Sequence, residues 1–281
     1  MIRLTLVLSA LVLGWPSLGA AQGDCFPGPE SNEAKTFAIF AVPLAFSRGG
    51  APDLYPGFKA GVEVASLPKV GDATATPTIC RPGKGPENTD LLPAVARPRF
   101  GMPLPFGLML QASWVPPVRV NGVKANLFGV SIEKAFGRFD GLVAALRAHA
   151  TFGSVHAPIT CDDAALADPT SECFGGTRSD DRLSPNILGL DLAVGGSLAA
   201  GRLRPYAGAG YNRLQPRFQV NFTNRFGELD DRRVEVDLDR VVVFGGATWQ
   251  LVERLDMSGE LYASPADAVT GRITVRTAVG P

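Results

Sequence analysis

The sequence runs to 281 residues, 46% of them hydrophobic, with Lys+Arg and Asp+Glu balanced at 27 each. A chain with zero formal net charge has no general attraction for nucleic acid, and no nucleic-acid partner is expected. The length allows one large β domain or two smaller ones.

The chain opens MIRLTLVLSALVLGWPSLGAAQG. Arg3, the apolar run Leu4–Leu13 and the small residues Gly19–Ala21 lay out a secretory leader over residues 1–21. Its apolar run is too short to span a bilayer. Export favours disulfides among the four cysteines. The stretch CDDAALADPTSEC reads as a loop, so Cys161 is expected to pair with Cys173, which leaves Cys25 for Cys80. No Cys-x-x-Cys is present, and His149 and His156 are the only histidines. No metal or other cofactor is expected on that pattern.

Residues 22–56 form a separate N-terminal segment. Within it TFAIFAVPLAFS is apolar on both parities and contains Pro43. It reads either as an extra strand, partnered near Ala73–Ile79, or as a plug inside the sheet that follows. In the second case a Cys25–Cys80 bridge draws the N-terminus through the lumen to the far end.

From Gly57 onward the apolar residues recur with period two, the mark of strands. GFKAGVEVAS sets Phe58, Val62 and Val64 against Lys59 and Glu63. AVARPRFGM sets Ala96, Pro98 and Phe100 against Arg97 and Arg99. PFGLMLQASWV follows with Leu108, Leu110 and Trp114 opposing Gln111 and Ser113. ANLFGVSIEKAF places Phe128, Val130 and Ile132 opposite Ser131 and Glu133. In DGLVAALRAHATF, Leu142, Leu146 and Phe152 oppose Arg147, His149 and Thr151. LSPNILGLDLAVGG sets Leu188, Leu190 and Leu192 against Asp191 and Ala193. LRPYAGAGYNRL alternates small residues with Tyr206 and Asn212. DRVVVFGGATWQ sets Val241, Val243 and Trp249 against Arg240 and Thr248. RLDMSGELYAS sets Met257 and Leu261 against Asp256 and Glu260, and GRITVRTAV sets Ile273 and Val275 against Arg272 and Arg276.

These are ten strands of about nine to twelve residues, long enough to cross a bilayer when tilted. The second face is rich in small and charged groups, as a narrow lumen requires. Trp114, Phe152, Phe106, Phe136 and Trp249 lie near strand ends, where aromatic girdles belong. Long or medium linkers alternate with short ones along the chain, as in outer-membrane barrels. The fold class expected is all-β: an antiparallel up-and-down transmembrane β-barrel over residues 57–281, with long external loops. Ten strands are expected, or twelve if the N-terminal segment contributes. The alternative is a soluble secreted barrel or sandwich with its apolar face inward.

LRPYAGAGYNRL is similar to a strand that small outer-membrane β-barrels of Gram-negative bacteria often carry, and the chain resembles that family, of the OmpA/OmpW type, over residues 57–279. It departs from the family by ending Ala278-Val279-Gly280-Pro281 rather than on an aromatic residue. The resemblance implies an outer-membrane location, outer-membrane lipids as partners, and a structural or passive channel or binding role toward small solutes.

Lys59, Glu63, Arg97, Arg99, Glu133, Arg147, His149, Asp191, Asp256, Glu260, Arg272 and Arg276 form the expected lumen lining. They read first as mutually paired charges in a packed interior and second as a selectivity lining. No catalytic residue is expected. A barrel enzyme acting on lipid would draw on His149 with Thr151, or on His156 near Asp162 and Asp163, and no Gly-x-Ser-x-Gly is present. CRPGKGPENTD lacks the spacing of a phosphate loop and reads as an ordinary surface loop.

Overall fold

A computed structural model describes residues 23–54, 57–139 and 141–279. The expected leader lies outside the described residues. Ten long strands follow one another: β1 (Lys59–Ser66), β2 (Ala94–Leu104), β3 (Leu108–Val115), β4 (Val123–Phe139), β5 (Leu142–Ala157), β6 (Ile187–Gly195), β7 (Leu203–Leu214), β8 (Leu238–Val252), β9 (Leu255–Ser264) and β10 (Ala268–Ala278). Each pairs antiparallel with the next, and β10 pairs back onto β1 from Lys59↔Ala278 through Ala65↔Arg272. The sheet is therefore closed. A closed barrel has no open edge, so it satisfies the strand backbone in lipid without water.

The faces decide between lipid and water outside. Leu188, Leu190 and Leu192 are 59%, 52% and 51% exposed, while Asp191 between them is 2% exposed. The apolar face points outward and the polar face inward, which is the reverse of a soluble barrel. The chain is a ten-stranded transmembrane β-barrel. Trp114, Phe128 and Phe152 stack side by side on β3, β4 and β5, with ring centroids 6.1 and 5.9 Å apart. Phe106, Phe136 and Trp249 are exposed toward the opposite end. No helix among the described residues is long and apolar enough to cross a membrane, and the spans are strands.

The long connections gather at one end, the short turns at the other. At the long-loop end β4, β5 and β8 reach 17, 16 and 15 residues, beyond the length expected from the sequence. The end of β5 carries three short strands side by side, Asp181–Ser184, Arg217–Gln219 and Arg233–Glu235. Leu183, Phe218, Val220, Phe222 and Val234 from these strands and their flanks are buried, and they wall an apolar chamber above the polar lumen.

That chamber holds α1 (Asn32–Leu44). Ser31 caps it by accepting from the Ala34 amide at 3.2 Å. Phe37 packs on Phe218 at 5.7 Å between centroids. The extra-strand reading of TFAIFAVPLAFS is thus corrected to a helix followed by extended chain, and its suggested partner contains a helical turn, α2 (Asp72–Ala75). Apolarity on both parities encodes burial on every side. A helix meets that condition with its backbone bonded internally, whereas a lone strand in the chamber would leave polar edges unpaired.

Cys25 bonds to Cys80 and Cys161 to Cys173, with Cα atoms 5.7 and 5.6 Å apart. Cys25 also bridges to Val234, its amide donating to the Arg233 carbonyl at 2.8 Å. The described chain therefore starts at the long-loop end and must pass down the lumen to reach β1. Loop-closure entropy favours the bridge of separation 55 over that of separation 12 by about 1 kcal/mol. Cys25→Ser with Cys80→Ser should accordingly lower the unfolding free energy from urea titration more than Cys161→Ser with Cys173→Ser. Equal losses would contradict this.

Candidate functional site

Residues 45–54, the strap, run from the end of α1 through the lumen. Phe46, Ser47 and Arg48 are all at most 2% exposed. The strap is small where the wall presses on it. A side chain at Gly50 would land 2.2 Å from the Arg276 guanidinium, and one on Gly129 of β4 would land 2.3 Å from the Phe46 ring. Glycine at both places lets strap and wall approach.

Arg48 is the strap's anchor. It meets Asp191 at 2.7 Å and Glu133 at 2.6 Å, from β6 and β4. Arg147 on β5 grips the other Asp191 oxygen through Nε at 2.9 Å and a terminal nitrogen at 2.6 Å. A second knot surrounds Glu63, which accepts from Arg97 at 3.0 and 2.5 Å and also from Arg99 and Ser47. Phe46 sits between the knots, with the guanidinium carbons of Arg99, Arg97 and Arg147 4.4, 5.6 and 6.0 Å from its centroid.

Arginine and lysine outnumber carboxylates on the wall. Main-chain carbonyls of the plug meet the surplus. Arg97 donates to the carbonyls of Leu44 and Ala45 at 3.2 and 3.1 Å, and Arg272 to that of Val42 at 2.7 Å. These are the orphan acceptors at the C-terminus of α1, where the helix dipole favours cations. Arg272 also reaches Glu260 at 3.4 Å, which in turn accepts from the Tyr206 hydroxyl at 3.1 Å. Nearer the short-turn end, Asp53 of the strap pairs with Lys59 at 3.4 Å and Arg204 at 3.8 Å. Asp256 takes Arg204 at 2.8 Å and Arg276 at 3.8 Å. The plug is thus bonded to the wall at three levels.

At the long-loop end the loops form an open cavity of about 1420 Å³. Arg81, Lys84, Glu87, Glu172 and Phe226 are among its lining residues. Glu33 ties α1 to the loop segment just before Arg81, accepting from the amides of Thr78, Ile79 and Cys80 at 3.0, 2.8 and 2.8 Å. Burial would raise its pKa, but these amides and the Thr78 hydroxyl more than offset that and hold it below the usual carboxylate range.

Glu87 behaves oppositely. Burial outweighs Lys84, at 2.5 Å, and Arg81, at 3.8 Å, and its pKa is pushed up to about 7. Between its ordinary value of 4.5 and about 7 the folded loop keeps a proton that the unfolded chain has released. Loop stability is therefore full below that window and falls as pH rises through it, by up to ~3 kcal/mol. Hydrogen exchange at the Glu87 and Asn88 amides, corrected for intrinsic rates, should show this decline. Glu87→Gln should flatten it, and an unchanged profile would rule the assignment out.

No family model and no curated protein matches the chain. Solved structures that it is similar to include outer-membrane proteins. OmpTΔL8, a loop-deletion mutant of OmpT from Vibrio cholerae, is 13% identical over 67% of this chain and 55% of that one, with a TM-score of 0.28. Neisserial surface protein A is 9% identical over 80% and 98%, with a TM-score of 0.29. The toluene transporter TodX of Pseudomonas putida is 13% identical over 86% and 71%, with a TM-score of 0.31. This chain thus covers little more than half of OmpTΔL8. The architecture rests on the closed ten-strand pairing rather than on these likenesses.

The twelve lining residues named from the sequence all face the interior, and most are committed to ion pairs. Arg147 reaches Asp191, while Arg272 and Arg276 pair with Glu260 and Asp256. His149 lies 3.6 Å from Asp191, whose oxygens already accept from Arg48 and Arg147, so that carboxylate does not orient it as a base for Thr151. Sequence reasoning missed Arg48, Ser47, Phe46, Asp53 and Arg204. The available signal was Arg48 itself, the one charge between Lys35 and Asp53.

Proposed function

We propose that this is an outer-membrane β-barrel of a Gram-negative bacterium whose lumen is closed by its own N-terminal segment. Its role is structural, with binding of small polar solutes in the cavity between its outward loops, rather than free passage through the pore. The observation that carries this is the strap, with Arg48 clasped between Asp191 and Glu133 where a channel would run. The apolar belt and its aromatic borders support the location. Two disulfides suit an oxidising envelope.

Two measurements test the reading. The full chain in planar bilayers should give no steady current, and an ohmic pore would overturn closure. A membrane-impermeant amine reagent applied to intact cells should modify Lys69, whose side chain is 82% exposed on a long loop. Modification only after lysis would reverse the orientation.

A further inference from the structure

Outside the barrel, just above the aromatic row, basic residues line up across strands. Register places Arg119 opposite Lys124, Lys124 opposite His156, His156 opposite Arg182, Arg182 opposite Gln219 and Gln219 opposite Arg233. Leu183, Phe218 and Val234, the alternate residues on the three short strands, are buried inward. The row therefore faces outward, and Lys124, Arg182 and Arg233 are exposed. At about 4.8 Å per strand it spans about 24 Å of the circumference.

The row is only partly neutralised. Asp180 serves Arg119 at 3.4 Å and His156 at 3.5 Å. Among the described residues no carboxylate lies within ion-pair distance of Lys124, Arg182 or Arg233. Asp24 adjoins Arg233 across the Cys25–Val234 bridge without pairing with it. Other outward cations nearby do have acids: Arg213 has Asp239 at 3.0 Å and Arg217 has Glu235 at 3.1 Å. An unneutralised row of cations on a sheet face repels itself unless an anion joins it.

Height selects the anion. Lys124 lies four residues beyond Phe128 on the same face of β4, about 13 Å along the strand and about 10 Å along the membrane normal at barrel tilt. Aromatic belts mark the headgroup level. Lysine and arginine reach several ångströms back toward it. We propose that Lys124, Arg182 and Arg233 dock the phosphorylated headgroups of lipids in the leaflet around the long-loop end. This rests on the membrane location and orientation given above.

The test uses the full chain refolded in detergent micelles, with lipid adducts read by native mass spectrometry. The probes are a diphosphorylated lipid A disaccharide, its dephosphorylated counterpart, and inorganic phosphate. Wild type should retain the diphosphorylated lipid in preference to the other two. The variant Lys124→Gln, Arg182→Gln, Arg233→Gln should bind it about a hundredfold more weakly, from about fivefold for each charge near an anionic surface. The swap Lys124→Arg, Arg182→Lys, Arg233→Lys should keep binding, which separates lost charge from lost folding. Retention by the glutamine variant, equal retention of the dephosphorylated lipid, or phosphate binding as tightly as the lipid would each overturn the proposal. Recovery of the protein in water without detergent would instead overturn the membrane reading beneath it.

Discussion

Asp191→Leu is expected to lower the unfolding free energy by about 3–5 kcal/mol, the cost of removing one partner from a buried ion cluster. Asp191 is 2% exposed and accepts from Arg48 and from two nitrogens of Arg147. Leucine would leave Arg147 without its acid and Arg48 with Glu133 alone. The adjacent Leu190 faces lipid, so Leu190→Arg fails in another way, by placing charge in hydrocarbon at about 2–4 kcal/mol near the midplane. Urea titration in lipid vesicles, followed by the fluorescence of Trp114 and Trp249, reads both. The two losses are distinguishable by a double-mutant cycle. Asp191→Leu should couple strongly to Arg48→Met, because the pair shares one interaction, while Leu190→Arg should be additive with it. Replacing Asp191, Arg48 and Arg147 together by apolar residues should recover much of the loss. A cost under about 1 kcal/mol for Asp191→Leu, with additivity, would mean that the cluster does not hold the barrel together.

The strand faces were legible because lipid and lumen impose opposite demands on alternate residues. Asp191 among leucines is the clearest case: helical periodicity has no place for it, and a strand turns it inward opposite Arg147. The disulfides followed from the loop character of 161–173 and from elimination. The plug was less legible for a definite reason. Burial on all sides removes the amphipathic signal, so TFAIFAVPLAFS encodes its environment and not its conformation. The strap reads locally as a loop, because AFSRGGAPDL has glycine, proline and no period. Its bonds to β1, β2, β4, β6 and β8 join residues far apart in sequence, such as Arg48 with Asp191, and local pattern carries no trace of them.

Removing residues 23–54 should convert a silent barrel into a conducting one. The strands close through β1 and β10, so nothing in the sheet requires the plug for closure. The polar wall it now covers tolerates water, since charges there exchange strap partners for hydration. The apolar chamber does not, and the loop end should loosen, with earlier proteolysis between Pro158 and Pro185. The exposed wall would present Lys59, Arg97, Arg99, Arg147, Arg204, Arg272 and Arg276 against Glu63, Glu133, Asp191, Asp256 and Glu260. Cations predominate once the carbonyls of Val42, Leu44 and Ala45 leave Arg272 and Arg97. The opened pore should therefore prefer anions, and the reversal potential in a potassium chloride gradient should carry that sign. Arg97→Gln with Arg99→Gln in the same deletion should move the potential toward cation preference, because Glu63 then stands without its guanidinium partners. A deletion variant that inserts, resists unfolding and stays silent would show that the wall side chains alone occlude the bore.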